Sequence, residues 1–305
     1  FESRKQDSGM TSIVDGHHHI WRQDDLPWLS GPTQPRIFGP YEPIRRDYPI
    51  EEYLDDLKDT GVTRSVYVQT NWPNGQFEDE AAWVQQTADA HGWPHALVAY
   101  ADFSVDDVRP QLDRLKRYPL VRGVRMQLHW HENPLYRFAA RPDLCSDPVI
   151  RRNVGRLADY GWGFDLQVFA PQMTDAAGLA AACPDVTFIL QHAGMLEDLS
   201  PQGRAAWRVG MAQLAQRPNV VSKLSGLGTF IHRNDGAHIA DIVTDTVAIF
   251  GADRCLFGSN FPIEKLWTSY RDLVDAYRAA AERLRPEQRE AIFNTTAARV
   301  YRLGP

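Results

Sequence analysis

The stretch Val14-Asp15-Gly16-His17-His18-His19-Ile20-Trp21 decides how the rest of the chain is read. Ile13 and Val14 lead into it as a short apolar run, and a proline-rich segment follows it. Side chains at i and i+2 of a strand share a face, so Asp15, His17 and His19 are expected on one side and His18 on the other. Two imidazoles set together at a strand end suit a divalent ion such as Zn²⁺, because a neutral ring nitrogen is a good ligand for it.

Outward from this stretch, short β-branched runs alternate with amphipathic ones along the whole chain. Strands are expected at 12–17, 65–70, 96–101, 121–127, 163–168, 186–191, 220–224 and 255–258. Helical patterns cover 50–60, 78–91, 105–118, 147–160, 171–183, 203–216 and 237–250, with 267–283 and 286–301 closing the chain. Gly61, Gly161 and Gly251 follow helical segments, where a left-handed residue is wanted, and Pro286 opens the last one. Eight strands alternating with helices predict an α/β fold, a single-domain (β/α)₈ TIM barrel over 12–305. An open doubly wound sheet would call for a glycine-rich phosphate turn after the first strand, and none is present. The stretch 22–49 carries prolines at 27, 32, 35, 40, 43 and 49. Its length and its Trp28, Phe38 and Tyr41 predict a loop packed over the barrel mouth rather than a free surface excursion.

The 305 residues are 43% hydrophobic and 24% charged, as in ordinary globular proteins. A net charge of −6 without a basic block argues against nucleic acid as partner, and no apolar run is long enough for a membrane span. The expected partner is a small-molecule substrate, with self-association into a homo-oligomer left open. Residues 1–11 are polar, lack the apolar core of a signal peptide and are expected to form a flexible tail. Cys145, Cys183 and Cys255 are widely spaced and form no zinc or disulfide pattern, which fits a reducing cytoplasm.

In a barrel, chemistry sits at the C-terminal strand ends. That rule selects His17 and His19 after strand one, with Trp21 close behind, and Gln69, Asn71 and Trp72 after strand two. It selects Arg125, Gln127, His129 and His131 after strand four, and Asp165 and Gln167 on strand five. His192 ends strand six, Lys223 and Ser225 strand seven, Ser259 and Asn260 strand eight. His192 could complete a three-imidazole site open to water, or be a core histidine satisfied by backbone. Arg125 reads either as a clamp for a substrate carboxylate or as half of an internal ion pair. Gln167 either contacts substrate or satisfies a neighbour. His129 and His131 repeat the His-x-His spacing but run on into a polar loop.

Taken in order, Asp15-Gly16-His17-His18-His19-Ile20-Trp21, Val121-Arg122-Gly123-Val124-Arg125, Phe164-Asp165-Leu166-Gln167, Ile189-Leu190-Gln191-His192-Ala193-Gly194, Lys223-Leu224-Ser225-Gly226-Leu227 and Phe257-Gly258-Ser259-Asn260-Phe261-Pro262 resemble the amidohydrolase-related TIM-barrel hydrolases. The similarity is greatest to the branch holding L-fuconolactonase and the pyrone dicarboxylate and sulfomuconolactone hydrolases. It implies hydrolysis of a cyclic ester, with His17, His19 and His192 as metal ligands (Zn²⁺ or Mn²⁺) or carbonyl polarisers. It also implies Arg125 as a substrate contact, with Gln167, Trp72, His129 and Trp21 as further candidates. Members differ in their need for metal, so a metal-independent site is equally compatible. One departure matters: the family's last-strand aspartate, which moves the proton of the attacking water, is Asn260 here. An amide cannot take a proton at neutral pH. The base is then another group, Glu264 or Asp15 being nearest, or the histidines work without metal, or the reaction is a lyase or isomerase step. A silent binding protein that kept the pocket is the reading outside enzymes.

Overall fold

The computed structural model describes residues 11–304. Residues 1–10, most of the expected tail, lie outside that range. Eight parallel strands form one sheet in sequence order: β1 (Ile13–His18), β2 (Val62–Val68), β3 (Ala96–Ala99), β4 (Val121–Val124), β5 (Gly163–Leu166), β6 (Phe188–Leu190), β7 (Val220–Leu224) and β8 (Cys255–Phe257). The ends of β1 and β8 meet: Asn260 N–H donates to His17 O at 2.7 Å, and His19 N–H to Phe261 O at 2.8 Å. The result is a (β/α)₈ barrel.

β2, β3, β4 and β5 stop two or three residues earlier than the apolar runs suggest. The β4 ladder ends at Val124, so Arg125, Gln127 and His129 belong to the chain as it curls over the barrel mouth. The helices start where the sequence supplies side-chain acceptors for free amides. Asp147 accepts from Val149 N–H and Ile150 N–H, Ser200 from Gly203 N–H, Asp235 from His238 N–H and Ser269 from Asp272 N–H. Several expected helices are shorter than their patterns, among them Ile50–Asp56, Arg109–Leu115 and Tyr270–Ala280.

Inside the barrel, Val14, Val66, Val98, Ile189, Val221 and Leu256 pack against Ala297 and Tyr301 from the last helical turns. The C-terminal segment therefore plugs the bottom of the barrel, and Tyr301 sends its hydroxyl up to Asp165 at 2.9 Å. Chemistry is confined to the other end. There the segment between β1 and β2 folds as a strap. Trp28 Nε1–H donates to Thr70 O at 2.9 Å, the Tyr41 hydroxyl to Trp28 O at 3.3 Å, and Trp21 pairs with Tyr48. The prolines and aromatics of 22–49 thus pack over the mouth, as the sequence implied. Among the described residues no helix is long and apolar enough to cross a membrane.

Candidate active site

The strand ends and the strap enclose a cavity of about 380 Å³. Its floor includes His17, His19, Arg125, Gln167, His192 and Asn260, and its walls include Trp21, Trp28, Phe38, His129, Phe138 and Phe230. The His17 ring lies 5.1 Å from that of His19 and 4.8 Å from that of His192, centroid to centroid.

Hydrogen bonds fix how two of these rings carry their proton. His19 Nδ1 lies 2.7 Å from Val68 O, which only accepts, so the proton is on Nδ1 and Nε2 keeps a lone pair. His17 Nδ1 lies 3.3 Å from Lys223 Nζ, and that ammonium also donates to Asp165 Oδ2 at 2.7 Å. An ammonium has no lone pair to offer. His17 Nδ1 therefore accepts, its proton is on Nε2, and that buried Nε2–H has no protein partner. The Lys223–Asp165 pair is held in turn by Gln191 Nε2 at 2.9 Å and by Tyr301.

His192 Nδ1 meets Ser225 Oγ at 2.8 Å. This contact needs glycine at 226, whose φ is +62° and where a Cβ would stand 2.7 Å from His192 Nδ1. His192 itself has φ +56°, a costly left-handed conformation for a residue with a side chain. The turn places its ring beside His17.

Loss of solvent pushes the histidines down: His17 and His192 well below the usual imidazole value, His19 and His129 to about 3. The nearby Arg125 and Lys223 charges push the same way. All are neutral at pH 7. Arg125 is 4% exposed and donates to Gln69 O at 2.7 Å and Gln167 Oε1 at 3.3 Å, while its Nε has no partner. Burial lowers it to about 10, so it stays charged.

The metal site expected at His17, His19 and His192 is not assembled. Among the described residues no three His, Cys, Asp or Glu side chains stand in an arrangement that could hold a metal ion. The donor chemistry agrees. His17 carries its proton on the nitrogen that would have to bind, no Asp or Glu among the described residues lines the cavity, and Arg125 and Lys223 add positive charge. As arranged, the residues do not fit a divalent ion.

Other expectations are also corrected. Register shifts in β1 between Asp15 and His18 break the simple alternation. Asp15 turns to the helical layer, where Tyr53 OH, Tyr270 OH, Ser259 Oγ and the amides of His17 and Ser259 all donate to it. It does not line the cavity and is no base there. Glu264 is buried behind the wall, accepting from Gly228 N–H and Trp267 Nε1–H, and burial raises it to about 8. Trp72 is not a cavity residue: Asn71, at φ +60°, faces the site, and Trp72 packs 6.0 Å from Trp83. His131 pairs with Glu197 at 2.9 Å outside the cavity. Trp21, Arg125, His129, Gln167 and Asn260 do line it. The strap's Arg36 and the loop residues Tyr136, Phe138, Met195 and Phe230 line it too, without a motif to announce them.

The neutral histidines give a stability prediction. Their unfolded-state value is near 6.5. Below that pH the unfolded chain binds protons that native His17, His18, His19 and His129 refuse, so stability falls as pH drops from about 6.5 towards about 3. His18, stacked 3.8 Å from Tyr53, has no partner on either nitrogen. Calorimetric Tm is expected to fall through this window, and less steeply in His18→Phe. Equal slopes in both proteins would contradict the assignment.

Sequence and fold relate the chain to known proteins. The amidohydrolase family model matches residues 14–303. The uncharacterized protein y4mH of Sinorhizobium fredii is 36% identical over 294 residues, 96% of this chain and 99% of its own. L-fucono-1,5-lactonase of Burkholderia ambifaria is 27% identical over 300 residues, 96% of this chain and 97% of that one. The crystal structure of a Burkholderia multivorans amidohydrolase with bound zinc aligns with a TM-score of 0.80 at 28% identity, covering 96% of this chain and 100% of the other. With a family match across almost all of its described length, the chain belongs to the amidohydrolase family.

Proposed function

We propose that the protein hydrolyses a lactone or related cyclic ester of a small carboxylated substrate. The observation that carries this is the cavity floor, where an unpartnered His17 Nε2–H, the free Nε2 of His19 and the Arg125 guanidinium, bonded only to neutral oxygens, line one cavity with no acidic group among the described residues. The lactone carbonyl oxygen accepts from His17 Nε2–H, with the Asn260 amide as a second donor. Fixed donors aimed at a developing oxyanion in a dry site are worth far more than in water. His19 Nε2 accepts a proton from the attacking water. Its basicity is low in the empty cavity and rises as negative charge grows on the neighbouring oxygen. The proton returns to the ring oxygen as the C–O bond breaks, giving one hydroxy acid from one lactone and one water. Arg125 binds the substrate's acid group, and the strap keeps bulk solvent out.

The test is turnover of acidic 1,4- and 1,5-lactones in ¹⁸O-water. One label in the product carboxylate, with activity surviving dialysis against chelator, is the expected result. Activity lost to chelator and restored by Zn²⁺ or Mn²⁺ would overturn the metal-free route. One observation favours a second reading: Asn260 and the acid-free lining leave no carboxylate base, as a lyase step without activated water would permit. Release of CO₂ with no label incorporated would establish that reading instead.

A further inference from the structure

The strap brings a second cation to the cavity. Arg36 lines it, its Nε is buried without a partner, and its guanidinium lies 5.9 Å from the centre of the Trp28 ring. Arg137, also on the lining, differs, because it donates to the carbonyls of His131 and Glu132 at 2.9 Å each and serves its own loop. Arg36 has no such employment. Among the described residues no Asp or Glu lines the cavity with it, although the whole chain is acidic at −6.

The position of Arg36 is built rather than incidental. On one side Trp28 is pinned to Thr70 O. On the other, the His232 ring donates through Nε2 to Ile37 O at 2.9 Å. The strap passes close over that ring at Gly39, whose φ is +75° and where a Cβ would stand 2.9 Å from His232 Cε1. The residue just before Ile37 is thus held between two anchors on different barrel loops. A guanidinium so placed loses little freedom on binding, which favours a planar, two-oxygen partner.

We propose that Arg36 is a specificity-determining residue that selects substrates carrying a second carboxylate, beyond the one taken by Arg125. The inference rests on the hydrolytic reading for its substrate, but its binding claim is tested separately. The aromatic walls formed by Trp28, Phe38 and Phe230 suit a flat ring between the two acid groups.

Titration calorimetry would compare phthalate, isophthalate and terephthalate with benzoate, on the wild-type chain, Arg36→Met and Arg36→Lys. At least one dicarboxylate is expected to bind about tenfold tighter than benzoate to the wild type. That preference should vanish in Arg36→Met and return in part in Arg36→Lys. Benzoate binding as tightly as all three, or a preference that survives Arg36→Met, would overturn the proposal. A parallel assay would measure the kcat/KM ratio for a dicarboxylated lactone over its monocarboxylated counterpart. If neither lactone is hydrolysed while the Arg36-dependent preference persists, the hydrolytic reading falls and the anion site stands. If both are hydrolysed with an unchanged ratio in Arg36→Met, the converse holds.

Discussion

Replacing Lys223 by methionine is expected to lower kcat by about a hundred- to a thousandfold, the usual cost of losing one oxyanion donor. The substrate's KM should change far less. Lys223 does not line the cavity, so the loss would act through His17. With the ammonium in place, His17 Nδ1 can only accept and Nε2 must carry the proton. Without it, the neutral ring is free to place its proton on either nitrogen, and the donor aimed at the carbonyl is no longer assured.

The single variant leaves Asp165 buried without its cation, and breaking such a pair typically costs about 3–5 kcal/mol. The cleaner protein is therefore the double variant Lys223→Met with Asp165→Asn, which is neutral and keeps an oxygen for Tyr301 and an acceptor for Gln191. Nitrogen-15 NMR of His17 supplies a readout that a packing role would not move. The wild-type ring should show a protonated Nε2 alone, and the double variant a mixture. Native kcat in a folded double variant would reduce Lys223 to a structural residue.

How far the sequence could be read follows from what its patterns encode. Alternating apolar runs report a barrel because each strand is buried on both faces. His17, His19 and His192 could be found because motif and strand end coincide. Asp15 could not, since a shift in register within β1 moves a side chain from one face to the other without changing the sequence pattern. The same holds for Trp72, which a left-handed Asn71 turns away from the site. Arg36, Phe138 and Phe230 come from loops, where no period fixes direction. The proton on His17 Nε2 depends on the Lys223–His17 contact between residues 206 positions apart, which spacing alone does not reveal.

Arg125→Met is expected to weaken binding of a carboxylated substrate by about a hundredfold while making the ligand-free protein more stable. The two effects have one source. Arg125 is buried, its pKa is lowered mainly by lost solvation, and the distant charges of Asp165 and Glu80 only partly offset this. Its nearest partners are the neutral oxygens of Gln69 and Gln167. A cation held this way is destabilising until an anion reaches it. Methionine fills similar space with no charge to desolvate, and the two oxygens it abandons belong to residues that line the cavity. A gain of about 1–3 kcal/mol would raise Tm by roughly 2–6 °C in a chain of this size. Scanning calorimetry on both proteins, without ligand and with a saturating carboxylate, separates the terms. The variant should melt higher alone, and the wild type should gain more from the ligand. A variant that melts lower in both conditions would show that Arg125 is half of a structural network, and the clamp would have to be sought elsewhere on the cavity wall.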